Sequence, residues 1–334
     1  MQEIRVRRFE LTSSHILLAG FMSACALLSV VIGSFPLQMS IATIFLFAGA
    51  HNFMEFRYFA TRMPVRWGKS RLYYTVGIGG VVILTAAYLT LYFSGGNWMW
   101  SLDSWATATA AWNTALVLWH AVMFYLRGRQ LPRSDWTWAF PIAFLLAALA
   151  WIGPQYWSLS LVYMHPFVAM WFLERQIRRT RPEWLRAYHW CLASIPLFLA
   201  VTWLAFAGQP NLPEDTNLFW RITQHAGSQI LPGISSHLLV ATHVFLESIH
   251  YAVWIVLIPL VDRRAIPWRI DKIPLFANAK GFPKLVIAAL AVSLVLVAVL
   301  WGGFAVDYTT TRDVYFAFAI AHVLAEFPFL IKML

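Results

Sequence analysis

Charge is the scarcest commodity in this chain. Only 12% of its 334 residues are Asp, Glu, Lys or Arg, where a soluble domain carries about a quarter. That shortage, beside a hydrophobic content of 60%, excludes a soluble enzyme, a nucleic-acid reader and a disordered segment. Cysteine is nearly absent as well. Cys25 and Cys191 both fall inside apolar runs, which leaves no zinc ribbon, iron–sulfur motif, disulfide framework or CxxCH haem attachment. Internal repeats, low-complexity tracts and a phosphate-binding glycine loop are also lacking. What remains is an integral membrane protein with a mean hydropathy of +0.62. Its net charge of +10 then marks cytoplasmic loops and not a nucleic-acid footprint.

A spanning helix needs about 20 mostly apolar residues. Ten runs qualify: 11–34, 38–58, 72–94, 105–126, 137–153, 156–174, 187–207, 235–261, 285–305 and 314–332. Only Gly153-Pro154-Gln155 separates the fifth from the sixth. The first follows Arg5, Arg7 and Arg8 like a signal peptide, but its length and the spans behind it predict a retained anchor. Ten spans place 23 of the 25 Lys and Arg on one side, leaving Arg221 and Arg312 opposite. The fold predicted is an all-α, polytopic helical bundle. It is one integral membrane domain over residues 1–334, multi-pass, with both termini cytoplasmic, in the cytoplasmic membrane if the source is prokaryotic. The loop from Gly208 to Ile234 lies outside, and the segment from Asp262 to Lys284 runs along the inner headgroups. Most of the 18 Trp are interface anchors.

Ionisable groups inside hydrocarbon are costly and rare. Three acidic residues nevertheless fall within spans, and each has a histidine four residues before it. They are His51-Asn-Phe-Met-Glu55, His243-Val-Phe-Leu-Glu247 and His322-Val-Leu-Ala-Glu326. An offset of four puts both side chains on one helical face. Glu247-Ser-Ile-His250 extends the eighth span's stripe by another turn. His120 and His165 complete the set, and all of these groups lie on even-numbered spans at similar depth. Depth matching of this kind is what a buried site between helices requires. His15 and His189 read as interfacial, His225 as a loop residue and His237 as structural. The competing explanation of the three pairs is a set of salt bridges gluing helices together, a poor solution given the desolvation cost of each.

Imidazole with carboxylate and no thiolate suits Fe, Mn, Zn or Cu. The expected metal donors are His51, Glu55, His120, His165, His243, Glu247, His250, His322 and Glu326. Such a set is large enough for two ions, or for one ion with supporting partners. No HxxxH or HxxHH box of membrane desaturases occurs, and no His-His dipeptide of haem–copper oxidases. A haem held by two histidines would leave three carboxylates unexplained.

Aromatic-rich helices with an early His-xxx-acid motif and another in the last span resemble the bacterial Brp/Blh family, membrane iron enzymes that cleave β-carotene to retinal. The residues carrying the likeness are His51 to Glu55, Leu118-Trp-His120, Val162-Tyr-Met-His165 and Ala321-His322 to Glu326. The chain departs from that family in having Glu for Asp and about two more spans. It also lacks the Pro-His-Gly and His-x-x-x-His strings and adds the His243/Glu247/His250 stripe. The resemblance implies a non-haem iron site and an isoprenoid substrate drawn from the bilayer. His51-Asn-Phe-Met-Glu55 is also similar to the HNxxD of ZIP-type zinc transporters, which makes ion transport the alternative. The function expected is a membrane iron oxygenase, a dioxygenase or related oxidoreductase, acting with O₂ on a lipophilic carotenoid, isoprenoid or lipid. No flavin or nicotinamide motif is present, so electrons come from the substrate or from a separate donor protein. The partners expected are membrane lipid, that substrate and the donor, with no nucleic acid.

Overall fold

The computed structural model describes residues 2–95, 102–131 and 134–334, with side chains over 14–94, 104–131 and 134–334. Among the described residues it is helical without strands. The elements are α1 (Gln2–Ser34), α2 (Pro36–Arg62), α3 (Arg71–Gly95), α4 (Leu102–Gly128), α5 (Ala139–Ile152), α6 (Pro154–Thr180) and α7 (Leu185–Ala205). They continue with α8 (Asn217–His225), α9 (Ser236–Ala252), a π-turn (Val253–Leu257), α10 (Ile258–Val261), α11 (Pro274–Ala277), α12 (Pro283–Val306) and α13 (Tyr308–Met333). Each of the ten apolar runs is therefore helical.

Among the described residues, seven helices are long and apolar enough to cross a membrane, and the pair α5–α6 counted as one bent span makes eight. The difference from ten has physical reasons. α4 dilutes its apolar residues with Thr, Asn, Trp and His. α5 has 14 residues, or about 21 Å of helix against a hydrocarbon core of about 30 Å. Between α5 and α6 the chain turns by 119°. Pro154 opens α6 without an N–H to continue α5, and Gly153 takes the extended conformation that reverses direction. α12 is apolar all round and exposes Leu285, Ile287, Val292, Leu294, Val295, Leu296 and Val299. Its surface is what a bilayer covers and water would not tolerate.

The chain divides into two compact units. Unit 1 comprises residues 1–51 and 166–266, and unit 2 comprises 52–165 and 267–334.

In unit 2, α3, α4 and α13 bury Tyr73, Leu84, Trp112, Trp119, Met123 and Leu324 against one another. The polar edges of the aromatics are satisfied. Trp112 donates to the Leu84 carbonyl at 2.9 Å, Trp119 to Val76 at 3.1 Å and the Tyr73 hydroxyl to Pro328 at 2.5 Å. α5 approaches α4 through a face of Ala139, Ala143, Ala147 and Ala150, small side chains that admit close helix contact. Lys332 donates to Ser70 and Gln130, so the ends of α13 and α4 meet the start of α3. Gly80 is required because a Cβ there would lie 1.9 Å from the Trp119 indole nitrogen. Gly80→Ala should displace Trp119 and cost about 1–3 kcal/mol, read as a lower melting temperature in detergent. An unchanged melting temperature would refute this packing.

In unit 1, α9 is the central element, with most of its residues buried. Ser235 caps its start and Trp203 of α7 donates to Thr242 at 2.8 Å. His237 is spent on the carbonyl of Gly33 at 2.7 Å, the structural role expected of it. Below α9 the π-turn has a definite cause. Pro259 cannot donate to the Ile255 carbonyl, and the Ile258 N–H reaches back to Val253 instead.

Candidate functional site

The two units each gather part of the expected donor set. Unit 2 holds Glu55, His120, His165, His322 and Glu326, and unit 1 holds His51, His243, Glu247 and His250.

In unit 2, α6 and α13 bring His165 and Glu326 together, with Nδ1 3.3 Å from Oε2. The His322 ring meets the His165 ring edge-on at 5.3 Å between centroids. His322 and Glu326 share one face of α13, one turn apart. Both helices carry an interior proline beside the donor, Pro166 after His165 and Pro328 two residues after Glu326. Glu326 is fully buried and Glu55 is 1% exposed. Neither oxygen of Glu55 has a hydrogen-bond partner. A buried carboxyl group without a partner is costly in so dry an environment.

His120 adds a nitrogen of the right kind. Its Nδ1 lies 2.7 Å from the carbonyl of Leu116, so with the proton on Nδ1 the lone pair is on Nε2, which is buried without a partner. Metal-bound histidines are commonly oriented by such a backbone carbonyl. The ring also packs edge-on against Phe327 at 4.0 Å. Two turns earlier on α4, Asn113 is fully buried with both amide atoms unpartnered. Sequence reasoning passed over Asn113, although an amide in an apolar run is itself a signal.

Unit 1 forms a different pattern. The His51 ring lies 5.2 Å from His250 and 4.6 Å from Tyr251, and its Nδ1 is 3.1 Å from the Phe47 carbonyl. The Tyr251 hydroxyl donates to Glu247 Oε1 at 2.5 Å, while Oε2 lies 3.8 Å from His243 Nδ1. His225 does not sit in a loop. It ends α8, and its ring stands edge-on to His243 at 5.0 Å. Tyr251 and His225 were both missed as functional candidates, although Tyr251 continues the four-residue spacing of His243 and Glu247. A groove of about 440 Å³, lined by Leu17, Phe21, Cys25, Ile249, Val256 and Leu260, runs along α1 and α9. His15 is exposed, and His189 is half exposed beside Glu174 at 3.7 Å.

Fold and site together define an all-helical protein whose several long apolar helices mark it for a membrane and whose interior holds clustered His and Glu. The chain has no significant match among protein-family models, curated proteins or solved structures. Its function is therefore argued from the residues themselves.

Proposed function

We propose that this chain is a membrane-embedded metalloenzyme whose ion is held in unit 2 by Glu55, His165, His322 and Glu326, with His120 as a further nitrogen donor. The observation carrying this reading is Glu55. A buried carboxylate without a donor calls for a cation beside it. Imidazoles with carboxylates and no thiolate suit iron, the ion proposed here, with Zn, Mn or Cu as the other metals such donors accept. Iron supplies the redox capacity that O₂ chemistry needs. The chain's own residues hold the ion, offset its charge and keep water away. Glu247, whose Oε1 accepts from Tyr251, and His243 belong to unit 1 and are left out of the ligand set.

The reaction class is an O₂-dependent oxygenation, with electrons drawn from the substrate as in a dioxygenase or from a separate donor protein. The apolar groove of unit 1 supports a lipophilic substrate such as an isoprenoid or lipid. Ten passes with both termini cytoplasmic remain the topology that the segregation of basic residues favours.

Elemental analysis of the purified protein tests the centre. About one or two transition-metal ions per chain are expected, retained through washing with a moderate chelator. Nitric oxide added to the ferrous protein should give an EPR-active adduct, the mark of an open coordination position. A protein purified without stoichiometric metal, and unable to take it up, would refute the centre. Rapid exchange of the ion with uptake across proteoliposomes would assign it to transport instead.

A further inference from the structure

We propose that the apolar groove of unit 1 seats an anionic phospholipid. One acyl chain lies along α1 and α9, and the headgroup phosphate is held by the arginines beside Trp184 and Val261. This rests on the reading of the groove given above as a lipid site and does not depend on an ion in unit 2.

The groove is shaped for a chain. Its wall on α1 runs from Ile16 to Leu28, about 18 Å at the rise of a helix. The other wall runs from Ile249 through the π-turn to Leu260. One leaflet of hydrocarbon is about 15 Å deep, so the groove matches an acyl chain in length. Its volume of about 440 Å³ lies within the range of small-molecule sites, about 300–1,000 Å³. Gly20 and Ala24 keep it open, and a Cβ on Gly20 would meet nothing within 4 Å. Ile16, Val256 and Leu260 line it and are themselves exposed, so it opens on the apolar surface that a bilayer covers.

Charge then selects the headgroup. Trp184 lines the groove, and the Arg181 guanidinium stands 5.7 Å over its ring. Arg181 lies 3.9 Å from Glu183 and keeps 42% of its side-chain surface accessible. Arg178 is instead engaged by Glu174 at 2.7 Å. On the other wall, Arg263 and Arg264 follow Leu260 within four residues, and both are exposed. Segments 174–186 and 262–264 together carry seven arginines against three acids, Glu174, Glu183 and Asp262. Arginine-rich loops by themselves follow from membrane topology. Beside a chain-length apolar groove they also meet what a phosphate with an attached chain requires. Basic pockets between spanning helices take anionic headgroups, and the guanidinium fork fits paired phosphate oxygens. A zwitterionic headgroup would bring its own cation among these arginines and bind less well.

Native mass spectrometry of the full-length, delipidated, metal-free protein tests the site. Palmitoyl-oleoyl phosphatidylglycerol should bind roughly tenfold or more tighter than phosphatidylcholine with the same chains, a preference that added salt reduces. Arg181→Gln should weaken phosphatidylglycerol binding about fivefold and leave phosphatidylcholine unchanged. Gly20→Leu should lose both lipids, because the side chain fills the groove. Leucine is also the better helix former, so α1 is retained, and Ala24→Leu serves as a second filling variant if the first melts early. Gly79→Leu on α3 of unit 2, where a Cβ also meets nothing within 4 Å, should bind as the wild type does. Inorganic phosphate should not compete beyond a chloride control of equal ionic strength. Equal affinity for the two lipids, competition by inorganic phosphate, or wild-type binding in a folded groove-filling variant would overturn the site. Iron uptake by the same variants judges the centre of unit 2 separately, so failure of the lipid site and failure of the metal centre are distinguishable.

Discussion

Ferrous iron added to the metal-free protein should raise its melting temperature, and His165→Ala should abolish the rise. An ion that binds the folded chain alone stabilises it by about 2.7 kcal/mol at a hundred times its dissociation constant. For a chain of this size that is a gain of about 5 °C. His165 is central because its Nδ1 already stands 3.3 Å from Glu326 and its ring adjoins His322. Removing it takes one imidazole and the orientation of the carboxylate together. Glu326→Gln should act in the same direction. Two controls carry the argument. Glu174→Gln should keep the full gain, since Glu174 pairs with Arg178 at 2.7 Å near the end of α6. Glu247→Gln should keep it too, because Glu247 is engaged with Tyr251 and His243 in unit 1. A loss of metal in Glu247→Gln equal to that in Glu326→Gln would contradict the unit 2 ligand set.

In the metal-free protein, Glu55→Leu should be more stable than the wild type by about 1–4 kcal/mol, and the same variant should gain little or nothing from iron. The sign follows from the site. Glu55 is buried with no donor to either oxygen. An apolar side chain of similar volume removes a buried polar group that no donor satisfies. With iron bound, the carboxylate instead becomes a ligand and its loss weakens retention. The two effects therefore have opposite signs, which ordinary packing damage cannot imitate. Thermal unfolding with and without the ion reads both. A Glu55→Leu variant less stable than the wild type under metal-free conditions would show that the carboxylate has a structural partner.

Much of the site was legible because ionisable groups are conspicuous in apolar helices. The nine expected donors all lie within helices, and five of them gather in unit 2. Their pairing was not legible. The i,i+4 spacing suggested that His322 and Glu326 act as one unit, yet the partner Glu326 meets at 3.3 Å is His165 of another helix. His225 was hidden because a nine-residue helix inside a polar segment gives little periodic signal. Its capping residue Thr216, which accepts from the Phe219 N–H, was a local clue.

The sequence by itself determined that this chain builds long apolar helices, where most of them begin and end, and which side chains are out of place within them. Run length, proline position and the cost of burying charge are local quantities, and they act on each segment without reference to its neighbours. Tertiary structure alone decided that α5 and α6 turn by 119° at Gly153, that α8 brings His225 to His243, and that His165 meets Glu326. A helical period states which face a residue occupies, but the partner of that face depends on how distant segments pack. That packing is chosen by side-chain shape, as at Gly80 against Trp119, which no spacing rule contains.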